Sequence, residues 1–331
     1  MNPQYGVVAI GNAIVDVLAQ TSDEFIASQE PHGMRRGAMA LIDAARAKEI
    51  YDLMGPGTEM SGGSAGNTMA AYASLGGTGA FIGKVADDQL GRVFGHDMRS
   101  IGVHFDTPVL KDGPPTAQCL ILVTPDAQRT MNTYLGASVQ LTGEDVDESL
   151  IASSEITYLE GYLFDEQHAK DAFFKAAGLV HVYNRRLALT LSDPFCVTRH
   201  RDDFRKLIEN HVDILFANEH ELMELYQVDS AEKAFDKIRP HCDITVVTLG
   251  ARGSVILTYQ DTIHIDAIPP SKLVDTTGAG DSYAAGFLFG LTEKKSLEEC
   301  GRLGSLAAAE VISHMGPRPV RPLKALLKTA A

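Results

Sequence analysis

The chain has 331 residues, 45% hydrophobic and 22% charged, with a formal net charge of −14. That length and balance predict one folded α/β unit with a substantial core, not a disordered chain. The acidic surplus excludes a nucleic-acid backbone as main partner, since phosphate backbones demand a basic face; a nucleotide held by amides, Mg²⁺ and a few local cations stays open. Cys119, Cys196, Cys242 and Cys300 are far apart without paired spacing, so they read as reduced thiols and not as a zinc site or a disulfide frame. No leader pattern opens the sequence and no apolar run reaches membrane-spanning length, which gives the expectation of a soluble, cytoplasmic protein with no membrane partner.

In chain order, residues 5–11 form an apolar strand that delivers Asn12 and Asp16 to its carboxyl end, the edge where open α/β sheets bind ligands. Both side chains suit a ligand's hydroxyls; a turn asparagine and a solvated aspartate are the competing reading. Residues 14–20, 36–42, 105–110 and 116–123 are short apolar or alternating stretches outside a parallel βαβ rhythm, which predicts a small sheet inserted into the main domain. Between them, Ser61-Gly62-Gly63-Ser64-Ala65-Gly66-Asn67 opens a helix of small residues. Gly62 and Gly63 let the backbone touch a ligand, and Asn67 can donate to and accept from vicinal hydroxyls. Gly83-Lys84 is no P-loop, because Thr78 and Val85 break the required spacing.

The second half keeps an α/β rhythm, with strands at 156–159, 187–191, 214–217 and 244–250 and helices at 166–180 and 200–210. Phe195 follows a strand end, where its ring can face a planar base or pack in the core. Asn218 and Glu221 open a helix after the 214–217 strand and are hard oxygen ligands suited to Mg²⁺, often through its waters. Glu219 and Glu224 are placed on that helix's solvated side. Thr248-Leu249-Gly250-Ala251-Arg252-Gly253 reads as a hairpin turn.

Further on, Asp275-Thr276-Thr277-Gly278-Ala279-Gly280-Asp281 sits where a helix begins. The N–H groups there point at whatever lies above the helix, and its dipole favours an anion. Asp281 stands beside that anion site, an arrangement suited to phosphoryl transfer with a carboxylate base; a tight turn with a helix cap is the plainer alternative. The helix dipole predicts a weakly basic Asp281 that works by placement. A last helix over 297–313 ends at Ser313-His314-Met315-Gly316-Pro317.

The run from Asp275 to Asp281, continued by Ala285-Gly286-Phe287-Leu288, resembles the second signature of the ribokinase-like (PfkB) family of small-molecule kinases, and Gly62-Gly63 with Asn67 resembles its first. Met69 and Ala86 depart from the usual pattern without touching those three residues. The resemblance spans Gly11 to Pro317. It implies a single three-layer α/β/α domain over residues 1–331, with a mostly parallel central sheet and a small β-sheet lid from about 13–44 and 105–123. It also implies an ATP-dependent kinase in which Asp281 is the base and Gly278, Ala279 and Gly280 form the anion hole. Asn12, Asp16, Gly62, Gly63 and Asn67 then hold the acceptor. Asn218, Thr248, Gly250, Gly253 and Gly280 contact nucleotide, Glu221 with Asn218 serves Mg²⁺, and Asp275 with Thr277 matches a K⁺ site. Arg129 reaches the transferred phosphate or is a hairpin-end surface arginine.

Leu191-Ser192-Asp193-Pro194-Phe195, together with the segments 11–16 and 218–221, resembles the adenosine kinase branch, where such an aromatic stacks on the purine. A free sugar as acceptor stays open, as do monomer and homodimer. A dinucleotide-binding oxidoreductase is disfavoured, because no G-x-G-x-x-G follows the first strand. A catalytically dead sensor is disfavoured by the intact Asp281 and its glycines.

Overall fold

The structure is a computed structural model that describes residues 3–126 and 128–327. Along the chain its strands are β1 (Tyr5–Ile10), β2 (Ile14–Gln20), β3 (Met39–Leu41), β4 (Gly57–Ser61), β5 (Gly79–Ile82), β6 (Val103–His104), β7 (Ala117–Val123), β8 (Arg129–Tyr134), β9 (Ser154–Glu160), β10 (Arg186–Thr190), β11 (Ile214–Asn218), β12 (Ile244–Thr248), β13 (Ser254–Leu257) and β14 (Thr262–Ile265). Nine form one sheet in the order β14-β13-β12-β11-β10-β9-β1-β5-β6. It is parallel from β12 to β6, and β13 and β14 close one edge as antiparallel strands.

Successive residues of a strand point to opposite faces, and a sheet covered on both faces must be apolar throughout. β1 shows this: Val7 and Ala9 belong to one core cluster, Val8 and Ile10 to the other, all with no exposed surface. On the first face lie the helices Ser64–Leu75 and Ala279–Thr292, packed against each other. On the second, helix Gln167–Val182 buries Phe173 against Phe164, which stacks on Phe204 at a centroid distance of 4.2 Å.

The second sheet has the order β3-β8-β7-β2-β4. It holds 14–20, 39–41 and 117–123 as expected, but residues 105–110 stay outside it. That segment carries only a bridge from Leu110 to Ala86, which ties it to the rim of the main domain. β4 and β8 take its place. Their sequences, Gly-Thr-Glu-Met-Ser and Arg-Thr-Met-Asn-Thr-Tyr, lack an apolar alternation, yet β8 is mostly buried between β7 and β3. On β2 and β7, Val15, Val17, Leu120 and Leu122 join a core completed by Ile26, Ala47 and Ile50 from helices Asp23–Gln29 and Ala44–Leu53. Ile14, Cys119 and Ile121 face the other way, toward a cleft between the two sheets.

The helix expected at 200–210 begins earlier, at Pro194, because Asp193 caps it by accepting from Cys196 N at 2.7 Å and Pro194 suits the first turn. It kinks at His200.

Candidate active site

The cleft encloses about 710 Å³. Its floor is the carboxyl edge of the main sheet, where Asn12, Glu160, Thr190, Asn218 and Thr248 end or follow β1, β9, β10, β11 and β12. Its roof is the inner face of the second sheet. Because β2 follows β1 after three residues, Asn12 lies on the floor and Asp16 on the roof, at the junction of the two.

Two helices point their amino termini into this space. One starts after Gly63, whose φ of +81° is open to glycine but strained for other residues. The other starts after Gly278, also left-handed at φ +76°. Their first turns meet: Ser64 Oγ donates to Asp281 Oδ1 at 2.6 Å, and Asn67 Nδ2 donates to Asp281 Oδ2 at 3.4 Å. Burial pushes the Asp281 carboxyl up to about 6, against the pull of Ser64, Asn67 and the Arg318 guanidinium. The sequence reading of a weak base therefore needs correction. Desolvation outweighs the Ser64 and Asn67 hydrogen bonds and the Arg318 charge, so the Asp281 carboxyl lies above its ordinary value.

Within the loop the amides are not equivalent. Ala279 N–H closes a turn onto the Thr276 carbonyl at 3.2 Å, so this amide is drawn away from the anion hole expected of it. The first bond of the helix runs from Ser282 N to Gly278 O. Gly278, Ala279 and Gly280 all line the cleft, with Pro317 beside them.

Asp275 anchors this loop. Its Oδ1 accepts from Thr277 N at 3.0 Å and Thr277 Oγ1 at 2.7 Å, and its Oδ2 accepts from Gly316 N at 3.0 Å. Arg129 Nη2 lies 2.8 Å from the same Oδ2, an ion pair with side chains only 6% and 9% exposed. The hairpin-end surface reading of Arg129 is thus excluded. None of its three guanidinium nitrogens makes a well-aligned hydrogen bond, although all are buried. A cation with that much unused donor capacity, on the cleft wall, fits an anionic group.

The acceptor-side residues separate into layers. Asp16 lines the cleft, and burial raises its carboxyl to about 6 against Arg318 and Arg129. Gly62 is an accommodation for Asp16, since a β-carbon there would stand 2.5 Å from its carboxylate. Asn12 is engaged at both ends: Nδ2 donates to Glu160 Oε1 at 2.7 Å, and Oδ1 accepts from Ser138 Oγ at 2.9 Å. Glu160 was missed by the sequence reading. It also accepts from Ala65 N at 2.8 Å, and burial lifts it to about 7. The available signal was a lone carboxylate ending an apolar strand at the sheet's binding edge. Arg318 had none.

Phe195 is 78% exposed and lines the cleft mouth, so core packing does not explain it. Ser192, just before it, has φ +74°, an uncommon left-handed conformation for a serine. Thr248 lines the cleft; Gly250 and Gly253 lie outside its lining and shape the tight β12–β13 connection. Lys84, in the rejected P-loop stretch, is buried against Asp145 at 2.5 Å.

Asn218 and Glu221 form a capping box, with Glu221 accepting from Asn218 N at 2.9 Å and Nδ2 at 2.6 Å. Glu221 is 5% exposed, and burial raises it to about 7. No cluster of three or more metal-ligating side chains occurs among the described residues. One buried carboxylate at this end of the cleft, Glu221, fits a Mg²⁺ that would keep its waters and ride on substrate phosphates. Among the described residues, no helix is long and apolar enough to cross a membrane.

A mostly parallel α/β sheet, a glycine-led helix start beside a partly buried carboxylate at its carboxyl edge and an opposing small sheet are the frame of a small-molecule kinase. Residues 39–323 match the pfkB family carbohydrate kinase profile, and the chain belongs to that family, a group of phosphotransferases with an alcohol acceptor and ATP as co-substrate. It is similar to an adenosine kinase structure from Sinorhizobium meliloti, with 50% identity, 99% and 100% of the two chains covered and a TM-score of 0.91. It is also similar to a structure described as a probable sugar kinase from Rhizobium etli, with 47% identity, 99% of each chain covered and a TM-score of 0.91. The adenosine kinase of Saccharomyces cerevisiae is 27% identical over 94% of this chain and 96% of its own length.

Proposed function

We propose that the protein phosphorylates the primary hydroxyl of adenosine, giving AMP. The observation that carries this reading is an apolar wall beside the polar floor. Met39, Leu41, Ile121, Met131 and Leu135 line one side of the cleft, facing the same space as Phe195, while Asp16, Asn67 and Asp281 gather at its deep end. A nucleoside has an apolar, planar half and a hydroxyl-bearing half; a free sugar leaves such a wall unused. The adenosine kinases among the similar proteins support the same acceptor.

In this reading Asp16 and Asn67 orient the ribose, with Asn12 holding Glu160 in place beneath it. Asp281 accepts the proton of the attacking hydroxyl. The hydroxyl oxygen bonds to the γ-phosphorus as the bridging bond to ADP breaks. Gly278 and Gly280 N–H groups and Arg129 steady the transferring charge, and the second sheet serves as a lid that excludes water. Thr248 and the Gly250–Gly253 turn flank the nucleotide. Glu221 and Asn218 would hold Mg²⁺ through its waters, and the ion would supply charge neutralisation on the phosphates. Asp275 and Thr277 remain the K⁺ candidates, although the Asp275 carboxylate already serves the loop and Arg129.

The test is ADP release from MgATP, with and without K⁺, offering adenosine, inosine, ribose and fructose. Turnover with adenosine alone is the expected result. Phe195→Ala should then raise KM for adenosine about tenfold, the scale of one lost aromatic stack, and leave the melting temperature unchanged because the ring is exposed. Turnover with ribose or fructose and none with adenosine would assign the free-sugar reading, which the Rhizobium etli neighbour favours.

A further inference from the structure

Behind the cleft wall lies a charged side chain that belongs to neither signature. Arg318 follows the last long helix, one residue past the Pro317 that packs on Gly278. Its Nε donates to Asn67 Oδ1 at 3.1 Å and its Nη1 to Ser61 Oγ at 2.6 Å. Its Nη2 is buried without a partner. Ser61 is fixed in turn, its N–H donating to Asp97 Oδ2 at 2.8 Å. The guanidinium is therefore held by two neutral acceptors, and the charges that balance it are at longer range, Asp16, Asp97 and Asp281.

This contact settles an orientation. An asparagine amide can be turned either way, but a guanidinium only donates, so the atom facing Arg318 must be the amide oxygen. The amide nitrogen is then forced toward Asp281, where it is found. The ionised Asp281 carboxylate prefers the amide nitrogen as well, so the two partners agree on one orientation, and without Arg318 the amide is held from the Asp281 side alone.

We propose that Arg318 is a positioning residue of the phosphoryl-transfer site, fixing the Asn67 amide toward Asp281 and supplying the positive charge behind Asp16 and Asp281. The proposal rests on the reading of Asp281 as base. The groups facing Asp281 are Asp16 on β2, Tyr158 and Glu160 on β9, Tyr162 just beyond, Ser64 and Asn67 on the neighbouring helix, and Arg318. Arg129 and Cys119 face Asp16. Among these, Arg318 is the cation that acts on both carboxylates and also holds a hydrogen-bonded neighbour of Asp281.

The measurement is the pH profile of kcat/KM for Arg318→Gln, with MgATP and the best acceptor of the panel. The acid limb should move up by about half to one pH unit, with about a two- to threefold loss at pH 6.5 that grows toward pH 5.5 and narrows above pH 8, as expected when a nearby cation is removed from a carboxylate base. A loss equal at all pH values, or no loss, overturns the proposal and assigns Arg318 to packing. Arg318→Lys keeps the charge but cannot hold Ser61 and Asn67 in one plane. It should leave the limb in place and raise the acceptor KM at least threefold; an unchanged KM overturns the orienting role, and this variant decides the case if Arg318→Gln does not fold. Asp281→Asn is run alongside. Retained turnover there refutes the base itself, whereas lost turnover with an unmoved limb in Arg318→Gln refutes only Arg318.

Discussion

Asp281→Asn should lower kcat by about 10³-fold, within the 10²–10⁴ range of a lost general base, while ATP affinity stays within about twofold of the wild type. Its oxygens accept from Ser64 and Asn67 and touch no residue assigned to the nucleotide, so an isosteric amide removes the proton acceptor with little rearrangement. The wild-type profile supplies the companion result. A base must be ionised to act, and burial has raised this carboxyl to about 6, so kcat/KM falls as the pH drops through about 6. A limb near pH 4 would show that burial does not raise this carboxyl, and turnover close to wild type in the variant would remove Asp281 from the role.

Gly278→Ala is expected to have the next largest effect. The residue is left-handed, a conformation that costs alanine about 1–2 kcal/mol, and a β-carbon would stand 2.5 Å from the Pro317 carbonyl oxygen and 2.7 Å from its Cα. Neither neighbour is the flexible end of a side chain, so the loop itself must shift. The N–H groups of Gly278 and Gly280 then leave the line of the transferring phosphoryl group. Losing one oxyanion-hole donor costs about 10²–10³ in kcat in an acyl-transfer site, and at least 10² is expected here with a melting temperature lower by a few degrees. The check is kcat beside a thermal melt; wild-type kcat in a folded variant would show that this loop does not bind the reacting anion.

How much of this was legible beforehand depended on how many residues carried each signal. The Gly278–Asp281 loop was legible because glycines, a carboxylate and an apolar helix stand in one run, and the helix does begin at Ala279. The Asn218-x-x-Glu221 turn was legible for the same reason, and its two side chains do bond reciprocally. β4 and β8 were not, because their burial comes from neighbouring strands and not from an apolar period of their own. The segment 105–110 misled in the opposite sense: it is apolar enough for a strand, but the contact it finds is with Val85 and Asp87 on the main domain. Glu160 and Arg318 are single residues whose partners lie 148 and 251 positions away, at Asn12 and Asn67, and no local pattern encodes a contact of that kind. The strength of Asp281 as a base was misjudged because helix position is local, whereas desolvation is set by everything that closes over the cleft.

The four raised carboxylates also make the cleft a site of proton uptake. Asp16 and Asp281 at about 6, and Glu160 and Glu221 at about 7, bind protons in the folded chain that an unfolded chain releases near pH 4. Between those limits the native state holds more protons than the unfolded one, so these groups lower stability as the pH rises from about 4 through 7. The ligand-free enzyme should melt at a lower temperature at pH 7.5 than at pH 5.5, and a melting temperature that rises over that interval would contradict it. An enzyme built this way is most stable empty when slightly acid and most competent above about pH 6, and Asp281 contributes to both trends.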